Sequence, residues 1–467
     1  MITHNGKEYL NYNFMQQYAK YNSLSADIQS RLNSECDRSV DYCFLREKPS
    51  NEGFTGALAP YWGNGLDVHS IRKDFPILHR KVNGNTLVWF DNGATTQKPN
   101  QVIQTINQYY SQYNSNIHRG AHTLANYATR AFEEARDKVR NFIGAAQSEE
   151  IIFTRGTTEA INLIAETYGQ SNIREGDEIL LTMMEHHSNI VPWQKLKEEK
   201  GAVIKVIPIN DCGEILMEEY RKLLSPRTKI VGITQVSNVL GTVNPVEEMI
   251  QLAHSHGACA VVDGAQAVPH LPVDVKQMDA DFYVFSGHKM YAPTGIGVLY
   301  GKKAILMQLP PWQRGGGMIE RVSFEHSTYQ QPPDKFEAGT GNIADAIGLG
   351  AAIDYLKRIG MDHIEAHERE LTQYALERLG EIKRLQLIGT APNKISVLSF
   401  IMEGIASENI GKYLDRQGIA VRAGHHCAQP VLNRYGLTSS VRASLGIYNM
   451  REEVDSLANA LLRLAAN

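Results

Sequence analysis

Cysteine is scarce and irregular in this chain: five residues in 467, an odd number with no repeating interval. A disulfide framework is therefore excluded, and a reducing compartment is expected. No apolar run reaches the roughly 18 residues that a spanning helix needs, so no membrane crossing is expected. Charge of one sign is lacking too. Lysine and arginine number 47 against 51 acidic residues, and no basic run is present to track a nucleic-acid backbone. The first residues, Met1-Ile-Thr-His-Asn-Gly-Lys-Glu, place no apolar stretch behind a basic start. They read as no secretory signal, and the cytosol is the expected location. With 43% hydrophobic and 21% charged residues, what remains is a folded chain long enough for two domains.

Two regions differ in character. Residues 1–66 hold ten aromatics, from Tyr9 to Trp62. Leu10, Phe14, Tyr18 and Tyr21 recur at helical spacing, as do Leu24, Ile28 and Leu32, before a Gly/Pro-rich linker between Pro49 and Gly65. A loosely ordered tail and a segment that folds against this chain or a partner both fit that composition. From about residue 87 a βα alternation takes over, with strands expected over 87–90, 150–154, 178–183, 202–209, 229–236, 258–263, 281–285 and 297–300. Most show no polar alternation, as strands covered on both faces should. Helices are expected over 157–168, 218–224 and 246–256, then over 347–359, 363–379 and 452–464. The pattern predicts an α/β chain. An N-terminal extension (1–66) precedes a large domain with a doubly wound, mostly parallel sheet (67–345), whose first residues contribute to a smaller α+β domain (346–467).

Chemistry gathers at strand ends. Lys289 closes Ser286-Gly-His-Lys directly after a strand, where open parallel sheets place ligands. Asp263 ends the apolar run Ala-Cys-Ala-Val-Val-Asp, placed as a buried carboxylate facing a site would be. Thr157 and Thr158 follow Gly156 at a helix start, where hydroxyls and backbone N–H groups can cradle a phosphate. Each residue taken alone also fits ordinary punctuation: a solvated loop lysine, a turn-capping Asp, a threonine N-cap.

Together these landmarks resemble the fold-type-I pyridoxal-phosphate enzymes, and further segments narrow the resemblance to the cysteine desulfurase and selenocysteine lyase family, group II or Suf-type. Glu185-His-His-Ser-Asn-Ile-Val-Pro-Trp is similar to the family segment whose first histidine, here His186, stacks on the cofactor ring. Val261-Val-Asp-Gly-Ala-Gln-Ala matches the Asp and Gln expected to hold the pyridine nitrogen and the phenolic oxygen, here Asp263 and Gln266. Arg422-Ala-Gly-His-His-Cys-Ala matches the signature around a nucleophilic cysteine, here Cys427. Val441-Arg-Ala-Ser-Leu carries the arginine such enzymes close on the substrate carboxylate, here Arg442. The match runs from about Asp67 to the C-terminus and leaves residues 1–66 outside it.

The resemblance implies pyridoxal 5'-phosphate as cofactor, Lys289 as its covalent anchor, and Ser286 and His288 completing the phosphate site with Thr157 and Thr158. It implies that Thr340, in Phe336-Glu-Ala-Gly-Thr-Gly, reaches a neighbouring subunit's phosphate in a homodimer, and that Asn238 lies near the phenolic oxygen and the substrate. The expected reaction converts L-cysteine to L-alanine and leaves a persulfide on Cys427, to be passed to a sulfur-acceptor protein in iron–sulfur cluster assembly or related sulfur traffic. Selenocysteine lyase on the same scaffold stays open. A fork-shaped guanidinium suits a carboxylate better than an ammonium does, which fits Arg442, with Arg422 as the second candidate. Arg422, His425 and His426 are expected to favour the thiolate of Cys427 through positive charge. Cys259, inside an apolar strand, reads as a buried inert thiol. His118 and Arg119 divide evenly between structural roles and the mouth of the site, and His254 and His256 read as helix-end histidines. No metal site is expected, since neither a cysteine nor a carboxylate pair stands near His186 and His187 in sequence. Some bacterial desulfurases enter protein shells through N-terminal extensions, so residues 1–66 are a candidate segment for a shell or scaffold partner.

Overall fold

Seven strands with almost uninterrupted apolar sequence build the central sheet of the computed structural model, which describes residues 66–118 and 120–466. They are β1 (Ile151–Thr154), β2 (Glu178–Thr182), β3 (Val203–Ile207), β4 (Thr228–Thr234), β5 (Cys259–Asp263), β6 (Phe282–Ser286) and β7 (Gly297–Gly301). Their order across the sheet is β1-β7-β6-β5-β4-β2-β3. All run parallel except β7, which is antiparallel to both neighbours.

The missing polar alternation has a direct cause. Side chains alternate faces along a strand, and here both faces are apolar. Leu180, Val231, Val262, Tyr283 and Phe285 enter one buried cluster, while Ile179, Leu181, Ile230, Val261, Phe282 and Val284 enter another. Helix α1 (Thr123–Phe142) and helix α3 (Ile343–Ile359) cover the first face, and α2 (Thr157–Ile164) lies on the second. Strand β3 is the exception. It lies at the sheet edge with Val203 and Val206 exposed, and Lys205 pairs with Glu178 at 2.7 Å.

A smaller antiparallel sheet follows, ordered β8-β9-β11-β10, from β8 (Leu385–Ile388), β9 (Val397–Met402), β10 (Arg422–Gly424) and β11 (Ser440–Ser444). Helices α4 (Met361–Gly380) and α5 (Arg451–Ala466) supply Leu371, Leu379, Val454, Leu457 and Leu461 to its core. The strand expected over 87–90 lies outside the central sheet and beside the smaller domain, to which the first residues of the large domain are expected to contribute. Its ordered part, Val88–Trp89, pairs in parallel with Ile419–Ala420, and Val88 and Phe90 are buried in this smaller core. Helix α3 begins at Ile343, four residues before the expected start, because the Asn342 side chain caps it by accepting the N–H of Asp345 at 3.3 Å.

The expectations for residues 1–65 and for Arg119 lie outside the described residues. Among the described residues, no helix is long and apolar enough to cross a membrane.

Candidate active site

Parallel strands end on one side of the sheet, and the side chains singled out in the sequence converge there. Thr234 ends β4, Asp263 ends β5 and Ser286 ends β6. Thr157 opens the helix after β1, and His186 opens the turn after β2. These residues line one cavity of about 210 Å³ together with Gly93, Thr158, Asn238, Gln266, His288, Lys289, Arg422, His426 and Arg442.

At one end the N-terminus of α2 meets Ser286. The Thr157 N–H donates to Ser286 Oγ at 2.9 Å, and the two hydroxyls lie 2.8 Å apart. The backbone is packed closely here. A Cβ on Gly297 would lie 2.4 Å from the Cα of Gly156, and one on Gly156 would meet Ser286 Oγ at 3.2 Å. Two threonines, a serine and a helix N-terminus give an anion both hydroxyl donors and a favourable dipole.

Deeper in, burial raises the carboxyl pKa of Asp263 above the usual range, against the opposing Ala265 N–H (2.9 Å to Oδ1) and the charge of Lys289. Gln266 donates to the carbonyl of Gly93 at 2.7 Å, and its buried Oε1 has no partner. His186 is held neutral. Burial first, then Lys289 and His187, push its pKa down to about 3. The N–H of Ser188 can only donate, and it reaches His186 Nδ1 at 3.1 Å, so the ring proton sits on Nε2. Burial also lowers Lys289 to about 8, Asp263 opposing the shift while Arg442 and Arg422 add to it. His288 falls to about 4 through burial and the charges of Lys289 and Lys98.

Arg442 is fully buried. Its Nη1 donates to the carbonyl of Asn238 at 2.9 Å and its Nη2 to Asp91 Oδ1 at 3.1 Å, while its Nε–H has no acceptor. Burial raises the pKa of Asp91 despite that ion pair. Orphaned buried polar atoms are rare and call for a partner. Arg442 Nε, Gln266 Oε1 and Asn238 Oδ1 are three such atoms on residues of one cavity.

Cys427 stands at the cavity mouth, half-buried, with Sγ 3.7 Å from Nη2 of Arg422. Its backbone is held in a conformation that side chains disfavour: His426 and Cys427 both have positive φ, 53° and 57°. Several bonds fix them. Asn238 Nδ2 donates to the His426 carbonyl at 2.7 Å, and the His187 N–H donates to the Cys427 carbonyl at 2.8 Å. His426 Nε2 donates to the Ser440 carbonyl at 3.1 Å. The expectation that His426 adds positive charge is corrected. Burial, then Arg442 and Arg422, push it down to about 3, so His426 is neutral and Arg422 is the cation in contact with the thiol.

Thr157, Thr158, His186, Asn238, Asp263, Gln266, Ser286, His288, Lys289, Arg422 and Arg442 therefore share one cavity, with Cys427 touching its rim. Thr340 does not. It is exposed and lines separate clefts with His118 and with Trp312. His118 pairs with Glu133 at 2.9 Å, and His254 pairs with Asp279 and Asp281. Cys259 is buried in β5, and burial holds its thiol well above the usual range.

Sequence reasoning missed Asp91, Gly93 and Glu185. Glu185 is buried, its pKa pushed up to about 8, and it accepts from Thr182 (2.6 Å), Asn189 (2.7 Å) and the Thr234 N–H (2.7 Å). It thereby braces the turn that carries His186. Its place directly before the two histidines was the available signal. Asp91-Asn-Gly-Ala reads locally as a turn, and nothing nearby in sequence announces its distant partner Arg442.

The donor set fits a pyridine-ring cofactor bearing a phosphate: hydroxyls at a helix N-terminus, a buried carboxylate, a lysine in the wall and a neutral histidine. The sequence profile of the aminotransferase class-V family matches residues 88–457. The chain is 57% identical over 400 residues to a cysteine desulfurase of Synechococcus elongatus, covering 86% of this chain and 64% of that relative, so it spans less than two thirds of that protein's length. It is 52% identical over 396 residues to a probable cysteine desulfurase of Halalkalibacterium halodurans, covering 85% of this chain and 97% of that protein. The apo structure of cysteine desulfurase from Thermococcus onnurineus superposes with a TM-score of 0.82 at 39% identity, covering 86% of this chain and 99% of that one.

Proposed function

The chain belongs to the aminotransferase class-V family, and from that premise we propose that it is a pyridoxal-phosphate-dependent cysteine desulfurase. The observation that carries the reading is a buried arginine that lines the cavity and keeps one N–H without an acceptor, with a half-buried thiol beside a second arginine of the same lining.

Bound pyridoxal phosphate supplies an electron sink for chemistry at the substrate's α-carbon. Thr157, Thr158, Ser286 and His288 would hold its phosphate, and Asp263 would keep the proton on its ring nitrogen. The uncharged His186 ring suits stacking, and Gln266 would bond the phenolic oxygen. Lys289, with a pKa near 8, has enough neutral amine to anchor the cofactor and to move the α-proton near neutral pH. Arg442 binds the substrate carboxylate through its free N–H. Cys427, as a thiolate, attacks the sulfur of L-cysteine. The carbon–sulfur bond breaks as the sulfur–sulfur bond forms, so L-cysteine and the Cys427 thiol become L-alanine and a Cys427 persulfide.

Two partners belong to the proposal. One is a second copy of the chain, whose phosphate site Thr340 would complete. The other is a sulfur-accepting protein in iron–sulfur cluster assembly or related traffic, approaching the exposed His425 face of the Cys427 loop. A shell or scaffold partner for residues 1–66 rests on their aromatic sequence, and the cytosol suits a reactive thiol. With L-cysteine and a reductant, the cofactor-loaded protein should release alanine and sulfide in equal amounts. Loaded protein that releases neither overturns the reading.

A further inference from the structure

Two loops distant in sequence bring His187, His425 and Cys427 together at the cavity rim. One ring nitrogen of each histidine and the Cys427 sulfur all lie within 4.8 Å of one another. The rings stack at 5.7 Å between centroids with planes 29° apart. The sequence shows His187 beside His186 with no cysteine near. The fold supplies one, because the His187 N–H is bonded to the Cys427 carbonyl at 2.8 Å.

We propose that His187, His425 and Cys427 form a metal-binding site that takes one zinc-like divalent cation on the catalytic thiol. Two imidazoles and a thiolate are the donors that borderline-soft cations prefer, and no carboxylate belongs to the cluster to favour calcium or magnesium. His425 is exposed and the other two are half-buried, so a fourth position stays open to solvent. Zinc bonds of about 2.0–2.3 Å put tetrahedral donor atoms roughly 3.5 Å apart, so the cluster must close by about an ångström. The ring lone pairs now accept long backbone bonds, Gln429 N–H to His187 Nε2 at 3.2 Å and Cys427 N–H to His425 Nδ1 at 3.1 Å. A cation exchanges these weak bonds for metal bonds, and the thiol proton leaves to solvent as the sulfur–metal bond forms. Arg422, 3.7 Å from the sulfur, repels the cation and makes the site exchangeable rather than structural.

Metal binding stands on the cluster's geometry alone. Its consequence rests on the proposed desulfurase reading: a thiolate committed to a cation cannot attack the substrate's sulfur, so the cation reversibly arrests turnover.

Cobalt(II) added to the cofactor-loaded enzyme without substrate reads the site directly. One equivalent should produce a thiolate-to-cobalt charge-transfer absorption, which zinc then abolishes. Cys427→Ser should lack the absorption while keeping the cofactor's visible band. His187→Ala and His425→Ala should each weaken cobalt binding by at least about tenfold, since losing even a supporting partner of a ligand costs that much. An absorption that persists in Cys427→Ser, or histidine variants that bind cobalt as the unaltered enzyme does, overturns the site. Alanine release is measured separately on the same samples. Loss of the desulfurase reading therefore leaves the metal result interpretable, and an absent cobalt signal leaves the desulfurase reading untouched.

Discussion

Arg442 and Asp91 meet across 351 residues of sequence, Nη2 to Oδ1 at 3.1 Å, in a part-buried pair that leaves the arginine's Nε–H unanswered. The pair orients the guanidinium, and in the proposed reading the remaining donor would meet the carboxylate of the substrate.

Arg442→Lys therefore tests the carboxylate assignment. A lysine keeps the charge but cannot hold Asp91, the Asn238 carbonyl and a carboxylate at once. A hydrogen bond to a charged group is worth about 1.5–3 kcal/mol, so kcat/KM for L-cysteine should fall by roughly 10- to 150-fold, mostly through KM. The cofactor's visible absorption should be retained. Unchanged kinetics would move the carboxylate to Arg422.

Lys289 makes a statement about pH. Its folded pKa of about 8 lies below the ordinary 10.5, so between those values the folded state binds fewer protons than the unfolded one. Stability of the cofactor-free protein then rises with pH across that window, and the full penalty, about 3 kcal/mol, applies below pH 8. Lys289→Met should stabilise the cofactor-free protein by that order at pH 7, and the gain should shrink as pH climbs from 8 towards 10.5. Denaturant melts of both proteins across that range check this. The same variant should lose all covalent cofactor attachment after borohydride reduction.

The phosphate end depends on two glycines in contact. Gly297→Ala places a Cβ 2.4 Å from Gly156 Cα and 2.8 Å from the Phe285 carbonyl, all backbone atoms. Backbone must shift, at a cost of about 1–3 kcal/mol, and the shift falls on the loop that presents Thr157. Weakened cofactor retention on dialysis, with a lowered melting temperature, is the expected outcome.

Much of this was legible before the fold. Strands covered on both faces leave continuous apolar runs, so most of the central sheet could be placed to within a residue or two. Asp263 could be singled out because it ends a strand, Lys289 because it follows one directly, and Thr157 because it opens the helix after one. Local signals also decided the nature of Cys259. What escaped notice was set by contacts distant in sequence. The first residues of the large domain are expected to contribute to the smaller one, but Val88–Trp89 reads locally as one more strand of the alternation, and its partner there, Ile419–Ala420, is known only from the fold. His426 looks cationic beside Arg422 until burial makes it neutral. His187 has no thiol neighbour in sequence, and the loop geometry at Cys427 supplies one.

The transfer of sulfur to Cys427 is tested most directly by mass spectrometry of the peptide that contains it. After L-cysteine is added to the cofactor-loaded enzyme, that peptide should gain the mass of one sulfur atom, removable by a reductant. Cys427→Ser should bind cofactor and substrate, show no gain, and release no alanine. Full alanine release by Cys427→Ser, with no added sulfur on any peptide of the unaltered enzyme, would contradict the role assigned to this residue.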